Sequence, residues 1–134
     1  MRGIAGEIGG FIEFERFSGH EYHEHAIALN CGRSCLAYLI EARGIESIWI
    51  PSFLCDSVER TLRKYPSVTV HEYPVTREFR PDYESISLGR GDYLYLVDYY
   101  GQLKVEDVEY AKALSESQLI VDEAQGFFVS ALPG

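Results

Sequence analysis

The sequence predicts an α/β domain with three layers, α/β/α, in which helices cover both faces of a mainly parallel sheet spanning about residues 26 to 126. Strand-like and helix-like segments alternate along the chain. The strand-like segments are continuous apolar runs, which is typical of parallel strands buried on both faces. No repeat, low-complexity tract or linker divides the 134 residues, so we expect residues 1–134 to belong to one domain.

The predicted strands are 25–32, 47–51, 67–75, 93–101 and 118–126. The predicted helices are 33–44, 56–65 and 104–117, and 76–92 is predicted to be a loop. The first run, HAIALNCG, stops at Asn30 and Gly32, two residues that favour a turn after a strand. The helix RSCLAYLIEARG places its leucines and its isoleucine on one face and closes on Gly44, the usual residue just past a helix end.

The second half of the pattern follows the same logic. Pro51 closes the strand SIWIP, and Asp56 or Ser57 caps the helix DSVERTLRKY. The segment TREFRPDYESISLGRGD is rich in proline and glycine, which indicates a loop with at most one turn of helix. The runs SVTVHEYPV, YLYLVDYYG and QLIVDEAQG predict strands, and KVEDVEYAKALSES predicts the helix between the last two.

Composition excludes two classes of partner. The formal charge of −9 comes from 21 acidic and 12 basic side chains spread along the chain, which disfavours binding to nucleic acid. No apolar run reaches the roughly eighteen residues that a membrane span needs, and MRGIAGEIGG lacks the apolar core of a signal peptide, so we expect a cytoplasmic protein. Cys31, Cys35 and Cys55 are odd in number and show no C-x-x-C spacing, which predicts buried free thiols.

Ligands of open parallel sheets bind at the carboxyl ends of the strands, so the residues that follow each apolar run are the candidate site residues. They are Asn30, Gly32, Arg33 and Ser34, then Pro51 to Cys55, then Asp98, Tyr99, Tyr100 and Gly101, and finally Asp122, Glu123 and Gln125. Each of these residue types is also common in ordinary turns and helix caps. Their shared edge of the sheet is the stronger reason to group them.

The segment NCGRSC predicts a seat for a phosphate group. At the start of a helix, the backbone N–H groups of Gly32, Arg33 and Ser34 would lack intrahelical partners and would lie at the positive end of the helix dipole. The Arg33 charge and the Ser34 hydroxyl would add to the attraction for an anion. The alternative is that Ser34 merely caps the helix and Arg33 is solvated.

Asp122 follows an apolar run in QLIVDEAQG, as in two kinds of enzyme. One is the Walker B strand of a nucleotide-driven motor, and the other is the strand that directs an aspartate at the ring nitrogen of pyridoxal phosphate. The chain contains no G-x-x-x-x-G-K-[ST] loop, which excludes the motor.

Four ordered segments support the second interpretation. AIALNCGRSCLAYLI, IWIPSFLCDSV, YLYLVDYYG and LIVDEAQG resemble the N-terminal part of the large domain of the DegT/DnrJ/StrS-type sugar aminotransferases, over about residues 8 to 128. The resemblance implies aminotransferase fold type I, a pyridoxal 5'-phosphate cofactor, a keto-sugar substrate of nucleotide-sugar biosynthesis and a homodimer.

Carried over position by position, the resemblance implies that Gly32, Arg33 and Ser34 hold the cofactor phosphate. It implies that Asp122 pairs with the pyridine nitrogen and that Gln125 approaches the phenolic oxygen of the ring. A carboxylate beside that nitrogen keeps it protonated, which lets the ring accept electrons.

Two family features differ here. The family usually stacks an aromatic ring on the cofactor at the position of Cys55, so Phe53 and Tyr99 become the candidates for that role. The Schiff-base lysine of the family lies roughly thirty residues beyond the aspartate, and the chain ends before that position. Its lysines are Lys64, Lys104 and Lys112, and none matches it.

The resemblance therefore predicts a truncated N-terminal fragment, without the small domain, that is inactive alone and binds pyridoxal phosphate weakly. A non-enzymatic remnant that binds a phosphorylated ligand or a partner chain is the alternative. A lysine in the expected segment of the downstream reading frame would favour the cut enzyme, and an authentic stop after Gly134 would favour the remnant.

Two further clusters have simpler interpretations. The tract HEYHEH contains His20, His23 and His25 but no second ligand group at a fixed distance, so we expect no metal site. The tyrosines of YLYLVDYY are expected to pack in the sheet; they are Tyr93, Tyr95, Tyr99 and Tyr100.

Overall fold

The computed structural model describes Gly19 and residues 23–126. Its helices and strands, in chain order, are α1 (Gly32–Arg43), β1 (Ser47–Pro51), α2 (Asp56–Leu62), β2 (Thr69–Tyr73), β3 (Tyr93–Val97), α3 (Val105–Leu114) and β4 (Leu119–Asp122). Single turns of 3-10 helix occur at Tyr83–Ser85 and Tyr99–Gly101. The four strands form one sheet in the order β2-β1-β3-β4, and every pair of neighbours is parallel.

Alternate residues of β3 face two separate cores, which shows that helices cover both faces of the sheet. Tyr95 and Val97 pack with α1 and α2 on one face. Leu94 and Leu96, both 0% exposed, pack with α3 on the other face. The predicted three-layer α/β/α architecture with a parallel sheet is confirmed.

Helix α1 begins and ends within one residue of the predicted 33–44. Cys31 is its N-cap residue, and Gly44 follows its last turn in the left-handed conformation, with φ of 61°, where its N–H donates to the Ile40 carbonyl. The predicted cap of α2 is wrong. Cys55 is the N-cap there, without a side-chain capping bond. Asp56 is already helical and pairs instead with Arg60, at 2.6 Å on the exposed surface.

The predicted first strand at 25–32 is wrong. Residues 23–26 form a turn, 27–29 have no regular structure, and Ile27 is 62% exposed. An apolar run of four residues becomes a strand only if a neighbouring strand takes up its backbone hydrogen bonds. Within the described part of the chain, no strand pairs with this run.

The later strands are shorter than predicted because the chain turns at the carboxyl edge of the sheet. After Val97, the chain enters a 3-10 turn in which Tyr100 has a left-handed backbone, with φ of 58°. After Asp122, the N–H of Gly126 donates to the carbonyl of Glu123 and closes another turn. These turns bring polar residues together at the ends of β3 and β4.

The three thiols are free, as expected, but they are not buried. Cys35 and Cys55 are exposed, and Cys31 is half-buried. They lie at or near helix starts on the open edge of the sheet, and this position leaves them accessible. None of the helices in the described residues is long and apolar enough to cross a membrane.

Candidate functional site

A cavity of about 650 Å³ opens at the carboxyl ends of the strands. Four parts of the chain border it: the start of α1, the segment from β1 into α2, the end of β3 with its 3-10 turn, and the turn after β4. The lining residues are Cys31, Gly32, Arg33, Phe53, Leu54, Cys55, Ser57, Val58, Tyr95, Val97, Tyr99, Tyr100, Asp122, Ala124 and Gln125. Three of these parts follow β1, β3 and β4 and meet because adjacent parallel strands end at one edge, whereas the start of α1 follows no described strand.

The structure places most of the sequence-predicted site residues around this cavity. Gly32, Arg33, Cys55, Asp122 and Gln125 all line it. Phe53 and Tyr99, the stacking candidates, line it as well.

Ser34 does not line this cavity. Its hydroxyl donates to Asn30 Oδ1 at 2.6 Å. Its backbone N–H donates to the Cys31 carbonyl at 3.0 Å, so this N–H group is not unpaired as the sequence suggested. One of the three backbone N–H groups expected to bind a phosphate is therefore already hydrogen-bonded within the first turn of α1.

The N–H groups of Gly32 and Arg33 remain without a backbone acceptor among the described residues. They stand at the start of a helix of 12 residues, where the dipole favours an anion. A Cβ added at Gly32 would meet no atom within 4 Å, so open space surrounds this position. A small anion has room to approach the backbone here.

Cys31 adds a titratable thiol at the same helix start. Its Sγ lies 3.5 Å from the Ser34 hydroxyl. This hydrogen bond, the Ser34 N–H and the nearby Arg33 together lower the pKa of the Cys31 thiol to about 7, although desolvation acts in the opposite direction. Sequence reasoning did not assign Cys31 to the site.

Asp122, the last residue of β4, has both carboxylate oxygens engaged. The Tyr95 hydroxyl donates to Oδ2 at 2.5 Å, and the Ala124 N–H donates to Oδ1 at 2.9 Å. Burial, followed by the charge and hydrogen bond of Asp122, raises the pKa of Tyr95 well above its ordinary value. Burial and the Asp122 charge also raise the pKa of Tyr99, to about 12.

Tyr95 is the main residue that the sequence did not assign to the site. The expectation that the YLYLVDYY tyrosines pack in the sheet is correct for Tyr93 and Tyr95, which lie in β3 and pack in or against its core. Tyr99 is buried in the turn after β3, at 5% exposure, and Tyr100 in the same turn is 62% exposed. The sequence contained a signal for this role, because Tyr95 lies two residues before the carboxyl end of its strand. A side chain of that length reaches the end of the neighbouring strand.

Four aromatic side chains line the cavity within the described part of the chain: Phe53, Tyr95, Tyr99 and Tyr100. The Phe53 and Tyr99 ring centroids are 5.8 Å apart, and the Tyr99 hydroxyl donates to the Phe53 carbonyl. Phe79 packs edge-on against Tyr100 at 5.3 Å. Tyr100 donates its N–H to Gln125 Oε1 at 3.3 Å, which ties the turn after β3 to the turn after β4.

Arg33 is the only cationic side chain that lines the cavity within the described part of the chain. Lys64, Lys104 and Lys112 are all described, and none borders it. The cavity can therefore bind an anion and an N–H donor, but it offers no amine for covalent chemistry.

Two histidines of the tract HEYHEH are described. His23 and His25 lie in the exposed turn before α1, and His20 lies outside the described residues. Across the described part of the chain, no group of three or more His, Cys, Asp or Glu side chains is placed to hold a metal ion.

Comparison with known proteins gives no family assignment. No protein-family model and no curated protein matches the sequence. One similar solved structure is that of the sphingosine-1-phosphate lyase Bpss2021 of Burkholderia pseudomallei K96243, at 15% sequence identity and a TM-score of 0.49. The match covers 75% of this chain and 28% of the lyase, so the chain spans less than a third of that enzyme's length.

Proposed function

We propose that this chain is the cofactor-binding part of the large domain of a pyridoxal-phosphate-dependent aminotransferase of the keto-sugar-modifying type. One observation carries the pyridoxal-phosphate part of the proposal: a single cavity joins an anion-binding site at Gly32 and Arg33 to a hydrogen-bonded carboxylate at Asp122. The keto-sugar aminotransferase part follows the resemblance of the four sequence segments. Pyridoxal phosphate has the matching pair of ends, a phosphate group and a ring nitrogen that is protonated when it meets a carboxylate.

The phosphate end fits the start of α1. Two N–H donors, the helix dipole and the Arg33 guanidinium all favour a dianion there, and the open space at Gly32 admits it. The Ser34 hydroxyl would contribute only after releasing Asn30, because the two are now hydrogen-bonded.

The ring end fits Asp122. A carboxylate offers about four acceptor positions, and Tyr95 and Ala124 occupy only two of them. Two positions therefore remain, and a protonated ring nitrogen needs one of them. Asp122 would hold the proton on that nitrogen, and the bound cofactor would then supply the electron-withdrawing ring that amino-group transfer requires.

The neighbouring side chains would orient the ring. Phe53 and Tyr99 offer aromatic faces at the cavity, whereas Cys55, at the family's stacking position, has no ring. Gln125 lies within reach of the same space, although its side-chain oxygen now accepts the Tyr100 N–H.

The absence of a lysine from the cavity predicts reversible binding and no turnover by this chain alone. It also favours the second candidate function, a non-enzymatic domain that binds a phosphorylated ligand.

We further propose that the chain self-associates as a homodimer, which sedimentation at micromolar concentrations tests: a monomer throughout that range would contradict it.

Pyridoxamine 5'-phosphate is the best probe because it has no aldehyde to react with surface lysines. We expect calorimetry on the full chain to show reversible binding that Asp122→Asn weakens by about ten-fold, since a hydrogen bond to a charged group is lost. The matched control is Glu123→Gln, one residue along, which lies outside the 650 Å³ cavity and should change affinity by less than about two-fold.

Inorganic phosphate separates the two candidate functions. Phosphate that binds as tightly as pyridoxamine phosphate, with no effect of Asp122→Asn, would favour the non-enzymatic domain. Absence of binding by either compound would contradict both. Stoichiometric borohydride trapping of pyridoxal phosphate on one lysine would contradict reversible binding.

A further inference from the structure

Tyr95 is a buried polar side chain at the centre of the candidate site. It lies in the middle of β3, is 5% exposed and borders the cavity. Its hydroxyl donates to Asp122 Oδ2 at 2.5 Å, and its carbonyl accepts the Tyr73 hydroxyl at 2.7 Å. Tyr95 is therefore held at both its backbone and its side chain.

The two anchors of the Asp122 carboxylate differ in origin. Ala124 belongs to the same turn as Asp122 and holds Oδ1 locally. Tyr95 belongs to the neighbouring strand, 27 residues away, and holds Oδ2 from within the core. A local bond alone leaves the carboxylate free to move with its turn, whereas a bond from a packed strand fixes its direction relative to the cavity.

We propose that Tyr95 is a positioning residue that directs the Asp122 carboxylate at a protonated aromatic nitrogen in the cavity. The cavity thereby favours a phosphorylated pyridine over phosphate alone. This inference rests on the function proposed above, and it assigns the discrimination between the two ligands to one hydroxyl group.

The test compares Tyr95→Phe with the unmodified full chain, using pyridoxamine 5'-phosphate and inorganic phosphate as separate probes in calorimetry. We expect Tyr95→Phe to weaken pyridoxamine phosphate binding by about ten-fold and to leave phosphate binding unchanged, because only the first ligand meets Asp122. The matched control is Tyr65→Phe, whose hydroxyl donates to Glu41 on the exposed surface, away from the cavity.

A double-mutant cycle distinguishes positioning from a general loss of structure. If Tyr95 acts through Asp122, then Tyr95→Phe has little further effect on pyridoxamine phosphate affinity once Asp122→Asn is present. An equal loss of affinity for both probes, or full additivity in the cycle, would overturn the inference while leaving the proposed function standing. A wild-type chain that binds no pyridoxamine phosphate would overturn both.

Circular dichroism tests whether each variant is folded. If Tyr95→Phe does not fold, 4-fluorophenylalanine incorporated at position 95 fills the space of the hydroxyl without donating a proton. The same ten-fold, probe-specific loss is then expected, and unchanged affinity would overturn the inference.

Discussion

The hydroxyl of Tyr73 stabilises the sheet where β1 and β3 separate. Strands β1 and β3 pair only at Ile48↔Tyr93 and Trp49↔Leu94. Further along β3, the Tyr95 carbonyl accepts the hydroxyl of Tyr73, a side chain that is 1% exposed. Replacing Tyr73 by Phe removes this donor without changing the packing of the ring.

The expected cost of Tyr73→Phe is about 2 kcal/mol of the free energy of unfolding. The net value of one hydrogen bond is about 1 kcal/mol, and the desolvation of a buried carbonyl left without this donor adds about 1 kcal/mol more. The matched control is Tyr65→Phe, whose hydroxyl bond to Glu41 at 2.6 Å lies on the exposed surface. It should cost no more than about 0.5 kcal/mol.

Urea denaturation of the full chain, followed by circular dichroism at pH 7, measures both variants. For a slope of about 2 kcal/mol/M, Tyr73→Phe lowers the midpoint by about 1 M, and Tyr65→Phe by less than about 0.3 M. Equal shifts for the two variants would refute the assignment of stability to the buried hydroxyl.

The same side chain predicts a pH signature. Burial raises the pKa of Tyr73 far above its ordinary value of 10.0. Above about pH 10, the unfolded chain releases this proton and the folded chain retains it, so the stabilisation is complete below pH 10 and declines as the pH rises further. Tyr73→Phe should therefore lose less stability than the wild type between about pH 10 and 12, and parallel losses would contradict this account.

Three other predictions concern separate parts of the molecule. Asp92 is partly buried, which opposes ionisation, but hydrogen bonds that include the Gly89 N–H and the Trp49 indole lower its pKa below the ordinary 3.8. Asp92→Asn should therefore be less stable than wild type at pH 7 in urea titrations, with a difference that shrinks as the pH falls below about 4; a difference independent of pH would contradict this. Val108 of α3 is 0% exposed, so Val108→Ala should lower the free energy of unfolding by about 2 kcal/mol in the same assay. Val105→Ala on the same helix, at 45% exposure, should lower it by less than about 0.5 kcal/mol. Equal losses would show that α3 does not pack as described. With a pKa of about 7, the Cys31 thiol should be alkylated by iodoacetamide faster than the other two thiols at pH 7, as mass mapping over time would show, and similar rates at all three would contradict it.

The local sequence was sufficient for most of the regular elements. Helix α1 is bounded by a turn-forming segment and by Gly44, and both signals act within a few residues. The continuous apolar runs of β1 and β3 correctly indicated a sheet covered on both faces, because burial on both sides requires apolar residues at successive positions. The positions of Asp122 and Gln125 at the cavity followed from the rule that parallel strands end together, whereas Gly32 and Arg33 reach it at the start of a helix that no described strand precedes.

Hydrogen-bond partners between distant segments were decided by the tertiary structure alone. The run 25–32 has the composition of a strand, yet no strand in the described part of the chain pairs with it, and residues 27–29 stay irregular. The contact between Tyr95 and Asp122 depends on the register of β3 against β4, in which Val97 pairs with Asp122. Apolar period and cap residues are properties of a short stretch of chain, and they can be recognised in the sequence. Which donor meets which acceptor across 27 residues depends on how the strands align in space, and no local pattern encodes that alignment.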